Sequence, residues 1–375
     1  MIPANGGAQA ALRALVADTG AVTSNVIERF LATTEELAGA PMKVTLSADR
    51  IAAGASGGIV LFELETPDPR YAGQYVLRYG ASENPIFLQP SLAEHFAVLR
   101  AISDRGYPAP RGMWLDDGLM GLGPAMIMTR VNALPASIHY LAEGPYAEAD
   151  SALRQRMIRN VVELAARLHA LPLKELGLEN LRSRGGSGHF IDREINWTQA
   201  ELHARFPEVE PDDERAVLHR GMRSLLDEVA AWLRQHAPRH REPVLAHGDF
   251  TIANIMFEED GHVAALIDWE LCHEGLPEED LMYAELSARG RRGVGAVDFP
   301  SRDELIAAYR KVRPLEDEDW DYAAVLSSFR ITTWAAIGGR RLPRDAWPHQ
   351  RSLWEKHSGF LRESLQTAQL GRSPS

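Results

Sequence analysis

Residues 243–270 read PVLAHGDFTIANIMFEEDGHVAALIDWE, and the predicted fold rests mainly on this segment. A short apolar run leads into His247-Gly248-Asp249, and Asn254 follows Asp249 by five residues. The turn signal EEDGH then precedes a second apolar strand that ends at Asp268. Because a hairpin returns the chain on itself, the pattern predicts that Asp249, Asn254 and Asp268 converge on one point.

Two carboxylates and an amide grouped in this way are the side chains that phosphoryl transfer needs. One carboxylate accepts the proton of an alcohol, while the amide oxygen and the second carboxylate hold Mg²⁺ against phosphates. Protein kinases use the same D-x-x-x-x-N spacing before a metal-binding Asp. The alternative interpretation is a surface β-hairpin with an acidic turn, which a lone HGD triplet would favour.

A glycine-rich segment further upstream is a second candidate, formed by Gly54, Ala55, Ser56, Gly57 and Gly58. It is followed by the β-branched and aromatic run IVLFEL rather than by a helix that begins with Lys-Ser or Lys-Thr, so it is not a Walker-type loop. A glycine-rich turn between strands lets backbone N–H groups approach phosphates, as in protein kinases. An ordinary glycine-rich hairpin is the alternative.

Arg78 and Glu94 form a third candidate. Arg78 follows Val76 and Leu77 in a predicted strand, where a cation is costly unless it has a partner. Glu94 lies on the helix predicted over 91–103. In kinases a strand cation binds the phosphates and pairs with a helix Glu; Lys is usual there, although the fork of Arg also clamps phosphate. An edge-strand Arg that points to water is the alternative.

The hydrophobic pattern predicts an α+β chain, a strand-rich first part followed by a larger helical part. The predicted domains are an N-terminal helical extension (1–40), a sheet-containing lobe (41–131) and a helical lobe (132–375). Strands are predicted over 42–52, 59–65, 74–79 and 125–131, and a strand–loop–strand unit over 244–269. Long helices are predicted on both sides of the polar loop RSRGGSGHFID and again after residue 300.

Composition narrows the class of protein. The 375 residues are 45% hydrophobic and 25% charged, which is the balance of a globular chain with a real core. A net charge of −12 argues against a nucleic-acid binder. The single cysteine, Cys272, excludes an internal disulfide and favours a cytoplasmic setting. We see neither a membrane-spanning run nor a secretory signal in the sequence.

With these pieces together, the chain resembles the aminoglycoside phosphotransferase-like family, also called the phosphotransferase enzyme family, from about residue 45 to 365. The motifs that carry the resemblance are GASGGIV, YVLRY, SLAEHFAVLRAI, MIMTRVNA, RLHAL, HGDFTIAN, LIDWE and GLPEEDL. HGD-x4-N with a downstream D-W-E is the specific part, and the others support it. The resemblance implies a two-lobed protein-kinase-like fold and an ATP- and Mg²⁺-dependent kinase.

The resemblance also implies roles for particular residues. Asp249 would be the catalytic base and His247 its support, while Asn254 and Asp268 would bind Mg²⁺, with Glu270 near the metal. Asp280 matches the buried structural acid of the family. The adenine hinge would be formed by Met128, Thr129, Arg130 and Val131.

Arg at 78, where many antibiotic kinases have Lys, makes the chain more similar to the branch related to kinase domains fused to acyl-CoA dehydrogenases. We therefore expect a small-molecule hydroxyl substrate other than an aminoglycoside, such as a hydroxyacyl-CoA, with no nucleic-acid or membrane partner and no oligomeric state implied. From Met282 to Ser375 there are 15 Lys and Arg against 12 Asp and Glu, which suits an anionic acceptor. The alternative is that these basic residues face water and that the pocket is an apolar slot for a neutral alcohol. An aminoglycoside kinase, a catalytically inactive nucleotide-binding module and a metal hydrolase that uses His247 and Asp249 are the alternatives.

Overall fold

A computed structural model describes residues 22–47, 58–79, 91–118, 120, 122–135, 143–206, 216–289, 297–315, 319–340 and 347–371. The chain divides into two compact units, Met1–Asn132 and Ala133–Ser375. Each unit has its own sheet or sheets.

The first unit is built around an antiparallel sheet of five strands in the order β1-β2-β3-β5-β4. Its elements along the chain are α1 (Ser24–Leu31), β1 (Lys43–Leu46), β2 (Gly58–Glu65), β3 (Gly73–Tyr79), α2 (Leu92–Ser103), β4 (Gly112–Asp116) and β5 (Ala125–Thr129). The strands predicted over 59–65, 74–79 and 125–131 correspond to β2, β3 and β5. Strand β4 has no counterpart among the predicted strands.

Helix α1 shares the hydrophobic core of this sheet. Ile27, Phe30 and Leu31 are buried in the same cluster as side chains of the strands. Glu28 adds a polar link, because its Oε1 accepts a hydrogen bond of 2.7 Å from the N–H of Val44 in β1. The helix that the sequence analysis assigned to a separate extension therefore packs as part of the sheet unit.

The second unit is mostly helical and contains two small antiparallel sheets. Its helices are α3 (Pro145–Glu148), α4 (Ser151–His169), α5 (Glu179–Ser183), α6 (Phe190–Arg205), α7 (Ala216–Gln235), α8 (Pro277–Arg289), α9 (Arg302–Arg310), α10 (Trp320–Arg340) and α11 (Trp347–Gly371). Its strands are β6 (Leu134–Pro135), β7 (Val244–Ala246), β8 (Ile255–Phe257), β9 (Val263–Leu266) and β10 (His273–Gly275). Across the ranges given above, no helix is both long and apolar enough to cross a membrane.

The two small sheets carry the stretch 243–270. Strand β8 pairs with β9 as the predicted hairpin, with Ile255 opposite Leu266, and β6 pairs with β8 on its other side. Strand β7 pairs with β10, with Ala246 opposite His273. The segments before Asp249 and after Asp268 are therefore both held by strand pairing.

Helix α6 differs from the prediction, which has a polar loop at residues 182–192 and no helix between that loop and the predicted helix that begins at Arg215. Helix α6 begins at Phe190 and buries Ile191, Ile195 and Leu202. Its buried face also contains Glu194 and Thr198. Polar residues on the buried face interrupt the apolar period, which is why periodicity alone did not indicate this helix.

Candidate active site

The loop His247-Gly248-Asp249 follows β7 directly and is fixed by the carboxylate of Asp280. The N–H of His247 donates to Asp280 Oδ2 at 2.8 Å, and the N–H of Gly248 donates to Oδ1 at 2.9 Å. Asp280 lies in the first turn of α8, and its side chain is fully buried. His169 Nε2 donates to the same carboxylate at 3.1 Å, so helices α4 and α8 both hold the loop.

Burial alone would raise the pKa of Asp280, but the hydrogen bond and charge of His169 and the donors of the loop hold it below the usual range. An ionised Asp280 can therefore accept all three hydrogen bonds. The residue acts as a structural anchor of the loop, which is the position that the sequence analysis gave it by resemblance.

The His247 ring connects the loop to the end of the hairpin. Nε2 donates to the carbonyl of Ile267 at 2.9 Å, and Nδ1 accepts from the N–H of Asp249 at 3.3 Å. The ring packs edge-on against Trp269, with 4.7 Å between centroids. Burial lowers the pKa of His247 to about 4, so the ring is neutral and can make both contacts at neutral pH.

Asp249 and Asn254 are in direct contact, as the D-x-x-x-x-N spacing predicted. Asn254 Nδ2 donates to Asp249 Oδ2 at 2.8 Å and to the carbonyl of Asp249 at 2.9 Å. The carbonyl of Asn254 accepts from the N–H of Ile267 at 2.9 Å, which brings the end of β9 to the same place. The amide nitrogen of Asn254 is committed to Asp249, so Oδ1 is the atom that suits a metal ion.

Burial raises the pKa of the Asp249 carboxyl to about 7, and the charges of Glu270 and Asp280 raise it as well. Hydrogen bonds from Asn254 and Tyr283 act in the opposite direction. A carboxyl with a pKa near neutrality can exchange a proton with a hydroxyl group at physiological pH.

Tyr283 is a site residue that the sequence analysis did not identify. Its hydroxyl is hydrogen bonded to Asp249, and burial together with the charges of Asp249 and Asp268 raises its pKa well above the usual value. Tyr283 therefore lies close to both carboxylates. The sequence feature that could have indicated Tyr283 is its position three residues after Asp280 on the same helix, because residues at i and i+3 share a face.

Asp268 adopts a left-handed conformation, with φ 67° and ψ 56°, directly before the 3₁₀ turn Trp269–Leu271. Its side chain is exposed, whereas Glu270, two residues on, is buried. Within the described ranges, no three His, Cys, Asp or Glu side chains cluster as a metal cage. One exposed carboxylate and one amide oxygen instead suit Mg²⁺, which usually takes one or two protein ligands and completes its shell with phosphate and water oxygens.

In the first unit, the structure covers part of the predicted nucleotide-binding set. Gly54, Ala55, Ser56 and Gly57 lie outside the described residues, and Gly58 begins β2. A Cβ at Gly58 would lie 2.3 Å from the ring of Tyr79, so the backbone approaches closely at this position. Arg78 lies in β3 and is buried, with 6% of its surface exposed.

Glu94 has a structural role at the start of α2 that the sequence analysis did not consider. It forms a capping box with Ser91, in which the N–H of Ser91 donates to Glu94 Oε2 at 2.7 Å. The pairing of Arg78 with Glu94 and their contact with phosphate stay predictions.

The predicted hinge, Met128 to Val131, covers the end of β5 and the two residues after it. The N–H of Thr129 donates to the carbonyl of Arg111, and the N–H of Arg130 donates to the carbonyl of Gln74, both at 2.9 Å. These two donors are committed to the sheet. The contact of this segment with adenine stays a prediction, and in this arrangement it depends on other backbone groups of the segment.

Comparison with curated proteins finds relatives much longer than this chain. The chain is 26% identical over 310 residues to acyl-CoA dehydrogenase family member 10 of Mus musculus, an alignment that covers 78% of this chain and 26% of the relative. The chain thus spans about a quarter of the length of that relative.

Solved structures show the same fold. A protein from Ralstonia eutropha assigned to the aminoglycoside phosphotransferases matches with a TM-score of 0.65 and 19% identity, covering 92% of this chain and 98% of that one. An ethanolamine kinase of Plasmodium vivax matches with a TM-score of 0.56 and 14% identity, covering 86% and 84%. The predicted two-lobed, protein-kinase-like α+β fold is therefore confirmed.

A comparison with protein-family models agrees with the resemblance found in the motifs. The phosphotransferase enzyme family matches residues 50–322, a range that includes the loop 247–249, the hairpin and Asp280. Because this match spans well over half of the chain, the protein belongs to the phosphotransferase enzyme family.

Proposed function

We propose that the protein is a nucleotide-dependent kinase that transfers the γ-phosphoryl group of ATP to a hydroxyl group of a small molecule. The observation that carries the proposal is the contact between Asp249 and Asn254 beside the end of β9. This contact joins a carboxyl with a pKa of about 7 to an amide. The exposed carboxylate of Asp268 follows at the end of the same hairpin.

In this proposal Asp249 accepts the proton of the acceptor hydroxyl. Its pKa, which burial raises, makes it a stronger base than an exposed aspartate while it is still largely ionised above neutral pH. Asn254 and Tyr283 hold the carboxylate through hydrogen bonds, and His247 holds the backbone of Asp249. These contacts hold the base in one orientation. Positioning of this kind is a large part of the catalysis that a kinase provides.

Asn254 Oδ1 and the Asp268 carboxylate would hold Mg²⁺, whose charge neutralises the phosphates when it is bound. The proposal assigns the phosphate contacts of the nucleotide to Arg78 with Glu94 and to the segment Gly54 to Gly58. The adenine contact is assigned to the backbone of Met128 to Val131. These assignments rest on the motif positions.

The proposed acceptor is a hydroxyacyl-CoA or a related anionic alcohol. The curated relative is named for acyl-CoA dehydrogenases, and this chain matches about a quarter of it. A kinase segment and a dehydrogenase segment in one polypeptide would encounter the same thioesters. Arg at 78, in place of the Lys of many antibiotic kinases, and the excess of basic residues after Met282 also argue against a polycationic acceptor.

An ADP-release assay with ATP and MgCl₂ tests the proposal across four acceptor classes: hydroxyacyl-CoA thioesters, free hydroxy acids, amino alcohols and kanamycin. We expect turnover with a thioester and a loss of about 10²–10⁴-fold in Asp249→Asn, because the base is then missing. Thermal shift with ATP verifies that the variant still folds and binds nucleotide. Turnover of kanamycin at a kcat/KM of roughly 10⁴ M⁻¹s⁻¹ or more would contradict the acceptor class, and near-normal turnover by Asp249→Asn would contradict the base.

A further inference from the structure

Arg330 in α10 is a buried cation that belongs to none of the motifs discussed so far. Only 2% of its surface is exposed. Its Nε donates to Glu194 Oε1 at 2.8 Å, and its Nη2 donates to the carbonyl of Leu271 at 3.0 Å. Its Nη1 lies 4.0 Å from Glu279 Oε2, and the guanidinium lies over the ring of Trp334 at 4.7 Å from the centroid.

The Leu271 carbonyl, which Arg330 binds, lies between the turn that follows Asp268 and the loop that leads to Asp249. Leu271 ends the 3₁₀ turn that follows Asp268. A Cβ built on Gly248, the residue before Asp249, would lie 2.2 Å from the same carbonyl oxygen. His273 Nδ1 also contacts this oxygen, at 3.1 Å. The position of one carbonyl therefore sets the spacing between the segment of Asp268 and the segment of Asp249.

The segment from Asp268 to Leu271 needs to be held at both ends. A non-glycine residue in the left-handed region costs about 1–2 kcal/mol and persists only when its surroundings determine it. The start of the segment is fixed at Ile267, whose N–H donates to the carbonyl of Asn254 and whose carbonyl accepts from His247 Nε2, both at 2.9 Å. At the other end, the carbonyl of Leu271 accepts from Arg330, 59 residues further along the chain.

The charges around Arg330 explain how a guanidinium is accommodated there. A buried cation is tolerated only when carboxylates and hydrogen-bond acceptors replace water. Glu194 on α6 provides the direct partner, and it is shared with Arg184, whose Nη2 lies 3.0 Å from its Oε2. Arg184 and Arg330 together lower the pKa of Glu194 to about 2, against the effect of burial. The carboxylate is therefore charged at neutral pH, and its hydrogen bond with Arg330 Nε orients the guanidinium.

We propose that Arg330 is a positioning residue that fixes the proposed metal-binding segment 268–271 against the loop 247–249 through the Leu271 carbonyl. This inference rests on the proposed function. The competing explanation is that Arg330 only joins α6, α8 and α10 and contributes stability alone. The two explanations differ in one quantity, the dependence of nucleotide binding on the Mg²⁺ concentration.

The test uses Arg330→Met, which keeps an unbranched side chain without the charge, and Arg330→Lys, which keeps the charge without the fork. The matched control is Arg154→Met. Arg154 is half-buried and, like Arg330, bridges a carboxylate and a carbonyl, those of Asp298 and Ala149, but in a different part of the second unit. For each variant, the rise in Tm caused by saturating ATP is measured while MgCl₂ is varied, so the readout needs no acceptor.

We expect Arg330→Met to raise the Mg²⁺ concentration for half-maximal stabilisation by about tenfold or more, as is usual when an outer partner of a metal site is lost. Arg330→Lys should show a smaller shift in the same direction. Arg154→Met should lower Tm without moving the Mg²⁺ midpoint. If Arg330→Met does not fold, the Mg²⁺ midpoint of Arg330→Lys distinguishes the two explanations in the same way.

A wild-type midpoint in the Arg330 variants, with a loss of Tm like that of Arg154→Met, would overturn the proposal and leave a purely structural role. If the wild-type protein shows no Mg²⁺-dependent stabilisation by ATP, the proposed function is wrong and the inference falls with it. The wild-type arm therefore separates the failure of the function from the failure of the role of Arg330.

Discussion

At the scale of single residues, Gly248, which precedes Asp249, has no room for a side chain. Its φ of +78° lies in the left-handed region, and a Cβ there would lie 2.2 Å from the carbonyl oxygen of Leu271. We expect Gly248→Ala to lower the free energy of unfolding by roughly 2 kcal/mol or more, because conformational strain and overpacking add. Chemical denaturation measures this loss.

Gly177→Ala is the matched control. Gly177 also has a left-handed φ of +68°, but no heavy atom lies within 4 Å of its added Cβ. Its loss should therefore be limited to the conformational term of about 1 kcal/mol. Equal losses in the two variants would show that Leu271 yields to the new methyl group and that the contact is not a tight one.

The raised pKa of Asp249 leads to a second prediction at this scale. A base works only when it is deprotonated, so kcat/KM should fall as the pH drops through about 7. Since the charge of Glu270 contributes to raising this pKa, Glu270→Gln should move the acid limb to lower pH. The profile is measured with the acceptor identified by the ADP-release assay. An acid limb near the pKa of an ordinary aspartate would argue against Asp249 as the titrating base.

At the scale of elements, Glu94 at the start of α2 has two roles that a substitution can separate: the helix cap and the charge proposed to face Arg78. Glutamine can replace glutamate in a capping box, so Glu94→Gln should keep the helix cap while it removes the charge proposed to face Arg78. We expect a nearly unchanged Tm and an affinity for ATP lowered by roughly threefold to tenfold, as for an ion pair of about 1 kcal/mol. Calorimetric titration with ATP and MgCl₂ measures this change.

Ser91→Ala makes the opposite change in the same box. The Ser91 side chain accepts from the N–H of Glu94, and its loss should cost about 1 kcal/mol of stability. Nucleotide affinity should stay at the wild-type level. If Ser91→Ala weakens ATP binding as much as Glu94→Gln does, the effect comes from the helix end and not from the Glu94 charge.

The elements also show where sequence reasoning succeeds and where it stops. The hairpin of β8 and β9 was predictable because its signals are local: two short apolar runs and a turn between them. Helix α6 was not, because Glu194 and Thr198 lie on its buried face. Glu194 is tolerated there because Arg184 and Arg330 neutralise it, and Arg330 is 136 residues further on, where a local pattern cannot show a partner.

The same limit applies to the candidate site. The contact between Asp249 and Asn254 follows from their spacing in one loop, so the sequence predicted it. Tyr283 and Arg330 reach the site from α8 and α10, and their contribution depends on how those helices pack. Residues that position the chemistry from distant elements become visible only in the folded structure.

At the scale of the whole molecule, nucleotide binding should appear as a gain in stability. A ligand that binds only the folded state at 100 times its Kd adds about 2.7 kcal/mol to the free energy of unfolding. In the proposed function this gain requires Mg²⁺, because Asp268 anchors the ion that the phosphates share. Thermal unfolding with ATP therefore reports on the site without an acceptor and without turnover.

We predict that ATP raises the Tm of the wild-type protein more with MgCl₂ than with EDTA, and that Asp268→Ala removes this difference. Asp268→Gly is a companion variant, because glycine suits the φ of 67° and so separates loss of the carboxylate from backbone strain. The control is Asp260→Ala, which removes another exposed carboxylate of the same hairpin, one that contacts His262 at 2.7 Å. Because Asp260 lies in the hairpin turn, away from Asn254, this variant should keep the wild-type response. If both Asp268 variants respond to MgCl₂ as the wild type does, Asp268 does not bind the metal, and the exposed carboxylate after β9 needs another explanation.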